Sequence, residues 1–596
     1  MKLKDKVSLL LILVFSLLSS RDLFKSGYFP MHDDLQMMRQ LQMEKCFSDG
    51  QIPCRWVPDM GYGLGYPLFN FYPPLPYLMG QGIRFLGFAF TETAKTLFFL
   101  SFLTSGITMY FFAREFFGRF GGLISSVFYI WAPYHAVDVY VRGAMNEAWA
   151  MVFFPLILWL SYKLIRNENG QDARWIVWLA VSYSLLLLSH NLMVLIFTPF
   201  FGIWVLLNLW QVKTGSWNIF KDPVWLRKIA KLIVSGVWSL GLSAFFTFPA
   251  AFENKFTWIK SQLVGYYEYT AHFVSIRQLL VSRFWGYGPS VWVEAEDKMS
   301  FQIGHLHWIL SLIIGGVLLL RLVRAKGKLI ERFKNDRLSV VTLFLLMVGW
   351  FSAFMTHLRS IFIYQTIPQL SYIQFPWRFL TLTTFCFSFV AGGISGIFGQ
   401  WRFRQGFLIR NLMIPPQFLM SGFLVFLLLI INWNYFRPER VGKVTDKEKF
   451  SGEAWRIQQT AGIYDYLPIT AKVASQSQRA NPVEIMQGKA EVSKYEQGSY
   501  WAKFYIDVKK EADVRINILY FPNWRVFIDG IETKVFIPEG EEWGRMWIQV
   551  GKGEHLIYAQ FFNTLIRTVS NIISLISWAG LFSFLFGVKK LKNVKI

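Results

Sequence analysis

The stretch that decides the topology is PPLPYLMGQGIRFLGFAF, residues 73–90. It is apolar enough to pass for a membrane span, yet it opens on PPLP and carries Arg84 at mid-length. Reading it as a crossing would reverse the side of every later loop. The basic residues settle the matter. Arg114 and Arg119, Arg166 and Arg174, then Lys221, Arg227, Lys228 and Lys231 fall in alternate connectors between apolar runs. So do Arg321, Arg324, Lys326, Lys328, Arg332, Lys334 and Arg337, then Arg402, Arg404 and Arg410, then Lys589, Lys590 and Lys592. Cytoplasmic loops of membrane proteins carry such an excess, and placing all of these on that side leaves no crossing for 73–90. The segment is expected to be a helix lying on the membrane surface.

Working outward, the apolar runs fall at 7–20, 95–113, 118–134, 148–165, 175–189, 191–210, 230–249, 305–323, 338–356, 378–399, 412–432 and 565–587. Each is near the length a helix needs to cross the hydrocarbon layer, so the chain reads as a polytopic α-helical membrane protein of about twelve spans. A composition of 54% hydrophobic and 18% aromatic residues excludes an ordinary soluble enzyme. The net charge of +23 is spread between spans rather than gathered on one soluble domain, which argues against a nucleic-acid partner. The start, MKLKDK before Val7–Ser20, has either the short core of a signal peptide or a first span. No A-x-A site follows it, so a retained helix is expected.

This parity puts both termini in the cytoplasm and the connectors 21–93, 135–147, 250–303, 357–377 and 433–564 outside. The chain then divides into a membrane domain over 1–433 with a large first outer loop (21–93), an outer domain over 434–564, and a final span with a basic tail over 565–596. In the outer domain the long apolar runs stop and strand patterns take over: WAKFYIDV at 501–508, VRINILYF at 514–521, WRVFIDG at 524–530 and HLIYAQFF at 555–562. These predict a small β-sandwich, with Asp529-Gly530 at the turn of a hairpin. Of three cysteines, Cys386 lies in an apolar run. Cys46 and Cys54 share the first outer loop and are close enough to bridge in an oxidising compartment.

Two outer-face stretches carry the chemistry. One is HDD at 32–34, followed by Asp59 and the run GYGLGYPLFNFYPP at 61–74; the other is YHAVDVYVRGAMNEAW at 134–149. Carboxylates at a membrane face are costly unless they bind substrate, bind a metal or move protons. Acids from two loops on one face divide that labour: one takes a proton from an acceptor hydroxyl, others hold a divalent cation or the acceptor. Asp33, Asp34 and Glu147 are the catalytic candidates, and Asp34 and Glu147 also the candidate ligands of a Mg or Mn ion. His32, Asp59, Tyr62, Asp138 and His190 are candidate substrate-binding residues. Arg142, Arg283 and Arg378 join them as guanidiniums able to hold a phosphate by paired bonds. No P-loop, strand-linked Rossmann glycine pattern, HExxH or G-x-S-x-G occurs, so an activated substrate must carry its own leaving group.

HDD, WVPDMGYGLGYPLFNFYPPLPY, DVYVRGAMNEAWA, SHN and QFPWRFL together resemble a family of large polytopic membrane proteins. Its members are described as YfhO-like or pyruvoyl-tetrahydropterin-synthase-related, and FPNWRVFIDG resembles the same group's outer β-domain. The architecture is in turn similar to the GT-C superfamily of glycosyltransferases. That resemblance implies a polyprenyl-phosphate-linked sugar as donor and a glycan, lipid or protein hydroxyl as acceptor. It also implies a first-loop acid at Asp33 or Asp34 and a second-loop acid at Glu147 or Asp138. The expected function is an integral-membrane sugar transferase of the cell membrane acting on its outer face. Its rivals are a transporter or flippase for a lipid-linked glycan, which needs broken helices and charge deep in the bilayer, and a non-enzymatic envelope scaffold.

Overall fold

The computed structural model describes residues 3–167, 172–212, 222–291, 298–324, 336–396, 407–409, 412–414, 416–442 and 444–593. Lys221, Lys326, Lys328, Arg332, Lys334, Arg402, Arg404 and Arg410 lie outside these residues. The chain is a mostly helical, multi-pass membrane protein with an antiparallel β-sheet near its C-terminus. Among the described residues eight helical segments are long and apolar enough to cross a bilayer. The predicted spans at 7–20, 175–189 and 412–432 are helical over the described α1 (Leu3–Ser19), α6 (Asp172–Leu187) and α12 (Pro416–Asn432). The predicted pair at 95–113 and 118–134 is two helices, labelled together α4 (Phe90–Ile130), that reverse at Gly118 (φ 68°) and pack side by side, Ser126 Oγ donating to Gly106 O at 2.7 Å.

The remaining spanning segments are α5 (Met145–Arg166), α7 (Asn191–Val212), α8 (Pro223–Phe252), α9 (His305–Arg324), α10 (Arg337–Met355), α11 (Leu380–Ala391, within the 21-residue span Pro376–Gly396) and α13 (Leu565–Asn593). Between α1 and α4 lie α2 (Gln36–Ser48) and α3 (Leu75–Phe85). With 11 residues, α3 reaches about 16 Å at the helical rise, half of the hydrocarbon thickness. At that length α3 is too short to span.

The chain forms two compact units. The first comprises Met1–Asp33, Ala94–Ser239 and Gly265–Lys443; the second comprises Asp34–Thr93, Leu240–Val264 and Val444–Ile596. The boundary therefore runs between the two aspartates of the HDD motif.

The sheet of the second unit has strands β1 (Val483–Gln497), β2 (Trp501–Leu519), β3 (Trp524–Ile528), β4 (Ile531–Thr533), β5 (Arg545–Val550) and β6 (Gly553–Phe561). Its order is β1-β2-β6-β3-β4, with β5 also paired to β2, so the strands expected as a sandwich are joined in one hydrogen-bonded sheet. The β3–β4 hairpin turns at Asp529 (φ 49°) and Gly530 (φ 84°), the left-handed pair that a two-residue turn demands.

The glycine-aromatic run of the 21–93 loop is absorbed into the core of this unit. The Trp56 ring lies 5.3 Å from those of Trp524 and Phe561, and Phe71 lies 6.0 Å from Phe521. Backbone bonds lock it there: the Gly61 amide donates to Gln459 O (2.8 Å) and the Leu519 amide to Leu64 O (3.0 Å). Gly65 has φ +73°, and a Cβ there would stand 2.5 Å from the Trp56 indole nitrogen. Cys46 and Cys54 are joined as a disulfide.

Candidate functional site

The site of the first unit is built on the turn between α4 and α5. Pro133 opens a short helix, which widens over Val137–Val141 so that the Arg142 amide bonds back to Val137 O at 2.8 Å. A turn wound this wide is rare and re-aims the side chains it carries. Gly143 then reverses the chain at φ +63°; a Cβ there would meet Met31 Sδ at 2.2 Å and Asp33 O at 3.2 Å. That close approach brings in the start of the 21–93 loop. The His32 amide donates to Val141 O (2.9 Å) and the Asp33 amide to Arg142 O (2.8 Å). His32 also sets its ring Nε2 against Tyr287 O at 2.7 Å.

Glu147 sits in the first turn of α5, where the positive helix end favours a carboxylate. It is buried and accepts from the Tyr134 hydroxyl at 2.8 Å. The Arg142 guanidinium lies 2.7 Å away and Arg378 Nε 3.8 Å away. Arg142 also pairs with buried Asp138, takes part in a 3.1 Å bond with Tyr134, and lies 4.4 Å over the Trp377 ring. Arg378 donates to Ile373 O (2.7 Å) and Gln374 Oε1 (2.9 Å) and covers the Phe375 ring at 4.7 Å. His190 caps α7, its Nδ1 accepting from the Leu192 and Met193 amides at 3.2 and 3.4 Å, so its proton belongs on Nε2. Beside it, Asn146 donates to Ser189 O at 2.8 Å.

Burial governs the protonation here. Desolvation, reinforced by the Glu147 charge, pushes the Asp138 carboxyl well above the carboxylate range despite Arg142. Burial drives His190 down to about 3, with the Arg378 charge adding to it, and His135 to about 4. Burial lowers His32 as well. For Arg142 desolvation works against the charge, but Glu147, Tyr134 and Asp138 overcome it and hold the guanidinium protonated.

Of the predicted residues, Asp138, Arg142, Glu147 and Arg378 are thus one buried cluster, with His190 close enough to feel its charges and the backbone of His32 and Asp33 bound along its turn. Arg283 instead donates to Ile431 O at 2.9 Å, among the aromatic residues of 285–287 and Tyr435. Three others belong to the second unit. Asp34 pairs with Lys449 at 2.5 Å, and Asp59 with Gln42 (2.7 Å) and Lys45 (2.6 Å). Tyr62 holds a left-handed backbone at φ 59°. Among the described residues no group of three or more His, Cys, Asp or Glu side chains is placed to hold a metal ion. Asp34 and Glu147 face basic side chains instead, so they do not fit the cation expected of them. Sequence reasoning missed Tyr134, Asn146 and Trp377, although all three lie inside or beside the quoted motifs.

No protein-family model matches the sequence. An uncharacterized protein of Lactococcus lactis subsp. cremoris (strain MG1363) is 22% identical over 246 residues, which span 40% of this chain and 38% of that protein. Among solved structures, the mycobacterial arabinofuranosyltransferase AftD aligns over 74% of this chain and 28% of its own, at TM-score 0.41 and 11% identity. The oligosaccharyltransferase AglB of Archaeoglobus fulgidus, solved with an inhibitory peptide and a dolichol-phosphate, aligns over 80% of this chain and 61% of its own, at TM-score 0.42 and 13% identity.

Proposed function

We propose that the chain is an integral-membrane glycosyltransferase that moves a sugar from a polyprenyl-phosphate donor to an acceptor hydroxyl on the outer face of the cell membrane. The observation that carries this reading is the backbone pairing of Asp33 with Arg142, which makes one site of two acidic loops far apart in sequence. Asp33 is the general base, because its backbone is bound along the turn that carries Arg142 and leads into Glu147. Its carboxylate takes the proton of the acceptor hydroxyl as that oxygen attacks the anomeric carbon. The bond from that carbon to the phosphate oxygen breaks in the same displacement, inverting the centre. Polyprenyl phosphate leaves toward Arg378, the guanidinium held more loosely by Glu147, with the Nε2 proton of His190 beside it. Glu147 acts as a positioning residue that keeps two cations side by side. The disulfide of the first outer loop suits an oxidising, extracytoplasmic compartment.

The test is release of polyprenyl phosphate from a polyprenyl-phosphate sugar by the purified protein. Asp33→Asn is expected to slow it by about 10²–10⁴-fold, the usual contribution of a positioned base, while Asp34→Asn stays within about tenfold. Wild-type release no faster than that of Asp33→Asn would end this reading. It would favour a non-enzymatic scaffold, a role that suits a cluster whose charged groups already satisfy one another.

A further inference from the structure

Where α8 ends and α13 begins, the second unit buries more positive charge than it neutralises. Arg55, Arg567 and Glu253 are 2%, 0% and 2% exposed. Glu253 follows the last residue of α8, Arg567 lies in the first turn of α13, and Arg55 comes from the 21–93 loop. Glu253 Oε2 accepts from Arg567 Nε at 2.8 Å and from Asn70 Nδ2 at 2.9 Å, and its Oε1 accepts from the Thr564 hydroxyl at 2.6 Å. Both carboxylate oxygens are thereby committed. Arg55 donates only to neutral groups: Nη1 to Asn70 Oδ1 (3.2 Å), and Nη2 to Phe245 O (2.8 Å) and Asn571 Oδ1 (2.7 Å). Two donors remain. Among the described residues, Arg55 Nε and Arg567 Nη2 are buried and meet no acceptor. We propose that a small monovalent anion of the chloride class binds beside Arg55 and Arg567 and accepts from these two N–H groups.

Three observations select that ligand. The first is charge. Two guanidiniums stand against one carboxylate, and a buried charge without a partner is costly. Burial, and then the nearby charge of Arg567, pull the Arg55 guanidinium down to about 9, which still leaves it protonated at neutral pH. A water molecule accepts a hydrogen bond but cancels no charge; an anion does both. The second is the sign of the unmet groups. Both are donors, so a metal ion or an organic cation satisfies neither. The third is enclosure. The Phe561 ring covers the Arg567 guanidinium at 4.4 Å, and Arg55 is buried beneath its own partners. An ion taken up as the unit folds can sit there, whereas a phosphate tethered to a lipid tail cannot reach groups this deep.

An ion that binds only the folded protein raises its melting temperature as its concentration rises. The experiment melts the full-length protein in detergent, in sodium chloride and in sodium gluconate at equal ionic strength, beside Arg55→Gln and Asn571→Asp. The wild type is expected to melt about 2–4 °C higher in chloride, with a response that saturates. Asn571→Asp keeps the oxygen that accepts from Arg55 and supplies the missing negative charge. It is expected to melt above the wild type in gluconate and to ignore the change of salt. Arg55→Gln removes the excess charge and should also lose the chloride response. Equal wild-type melting in the two salts would overturn the proposal. So would an Asn571→Asp protein that melts below the wild type in gluconate or keeps the wild-type response. If Arg55→Gln fails to fold, the wild type and Asn571→Asp decide the matter. None of these readouts depends on transferase activity.

Discussion

The turn at 133–147 and the glycine-aromatic run at 55–77 look alike in the sequence. Both mix aromatic residues with glycines, and each holds or adjoins charged residues. The structure treats them oppositely. The first buries four ionisable side chains against one another: Asp138, Arg142, Glu147 and Arg378 from farther along the chain. The second turns Trp56, Phe69 and Phe71 into the core of the β-domain and uses its glycines for close packing. In a membrane chain a loop rich in polar and aromatic groups is no signal by itself. A loop that buries charge must satisfy it locally, and that cost is what separates a site from a core.

The contrast breaks most sharply at Glu147. Glu147→Gln keeps the volume but leaves two buried guanidiniums facing a neutral amide, and a loss of about 3–5 kcal/mol is expected, as for other broken buried pairs. Thermal unfolding in detergent measures it, and polyprenyl phosphate release should fall with it. A change below about 1 kcal/mol would mean that water reaches the cluster and screens it. In the other region, Trp56→Ala should cost about 3–5 kcal/mol through the cavity alone. Its effect should appear in the unfolding of the second unit, with no salt dependence. Comparable salt dependence for the two variants would erase the distinction drawn here.

Acid sharpens the comparison further. Burial lowers His190 from its ordinary 6.5 to about 3, so the folded state binds fewer protons than the unfolded chain between those values. Stability from this group is fully present above pH 6.5 and is lost as the pH falls toward 3, by at most about 1.4 kcal/mol per unit. His190→Gln should flatten that acid limb, whereas Trp56→Ala should only lower the whole curve. The smallest effect belongs to the hairpin. Gly530→Ala places a side chain at φ 84° and should cost about 1 kcal/mol without touching either region.

Much of the fold was legible because it rests on local physics. Apolar runs of the right length became helices, alternating runs became strands, and Asp529-Gly530 formed its turn. The reversal between the runs at 95–113 and 118–134 was legible in the same way, and falls at Gly118. The site was legible only in part. Arg142 and Glu147 share one motif, and Arg378 lies in another, but Tyr134 and Trp377, quoted inside those same motifs, were given no role. Asp59 and Tyr62 were grouped with the acids because they share a loop, yet Asp59 is consumed by Gln42 and Lys45.

By itself, the sequence determined the solvent this chain lives in, its run of helices and the strands near its end. Composition and periodicity are properties of neighbouring residues, and neighbours suffice to set them. Only the tertiary structure decided which charges meet. Arg378 reaches Glu147, and Asp33 reaches Arg142, through contacts between segments remote in the chain, and pairing energy depends on those distances and on burial rather than on the order of residues.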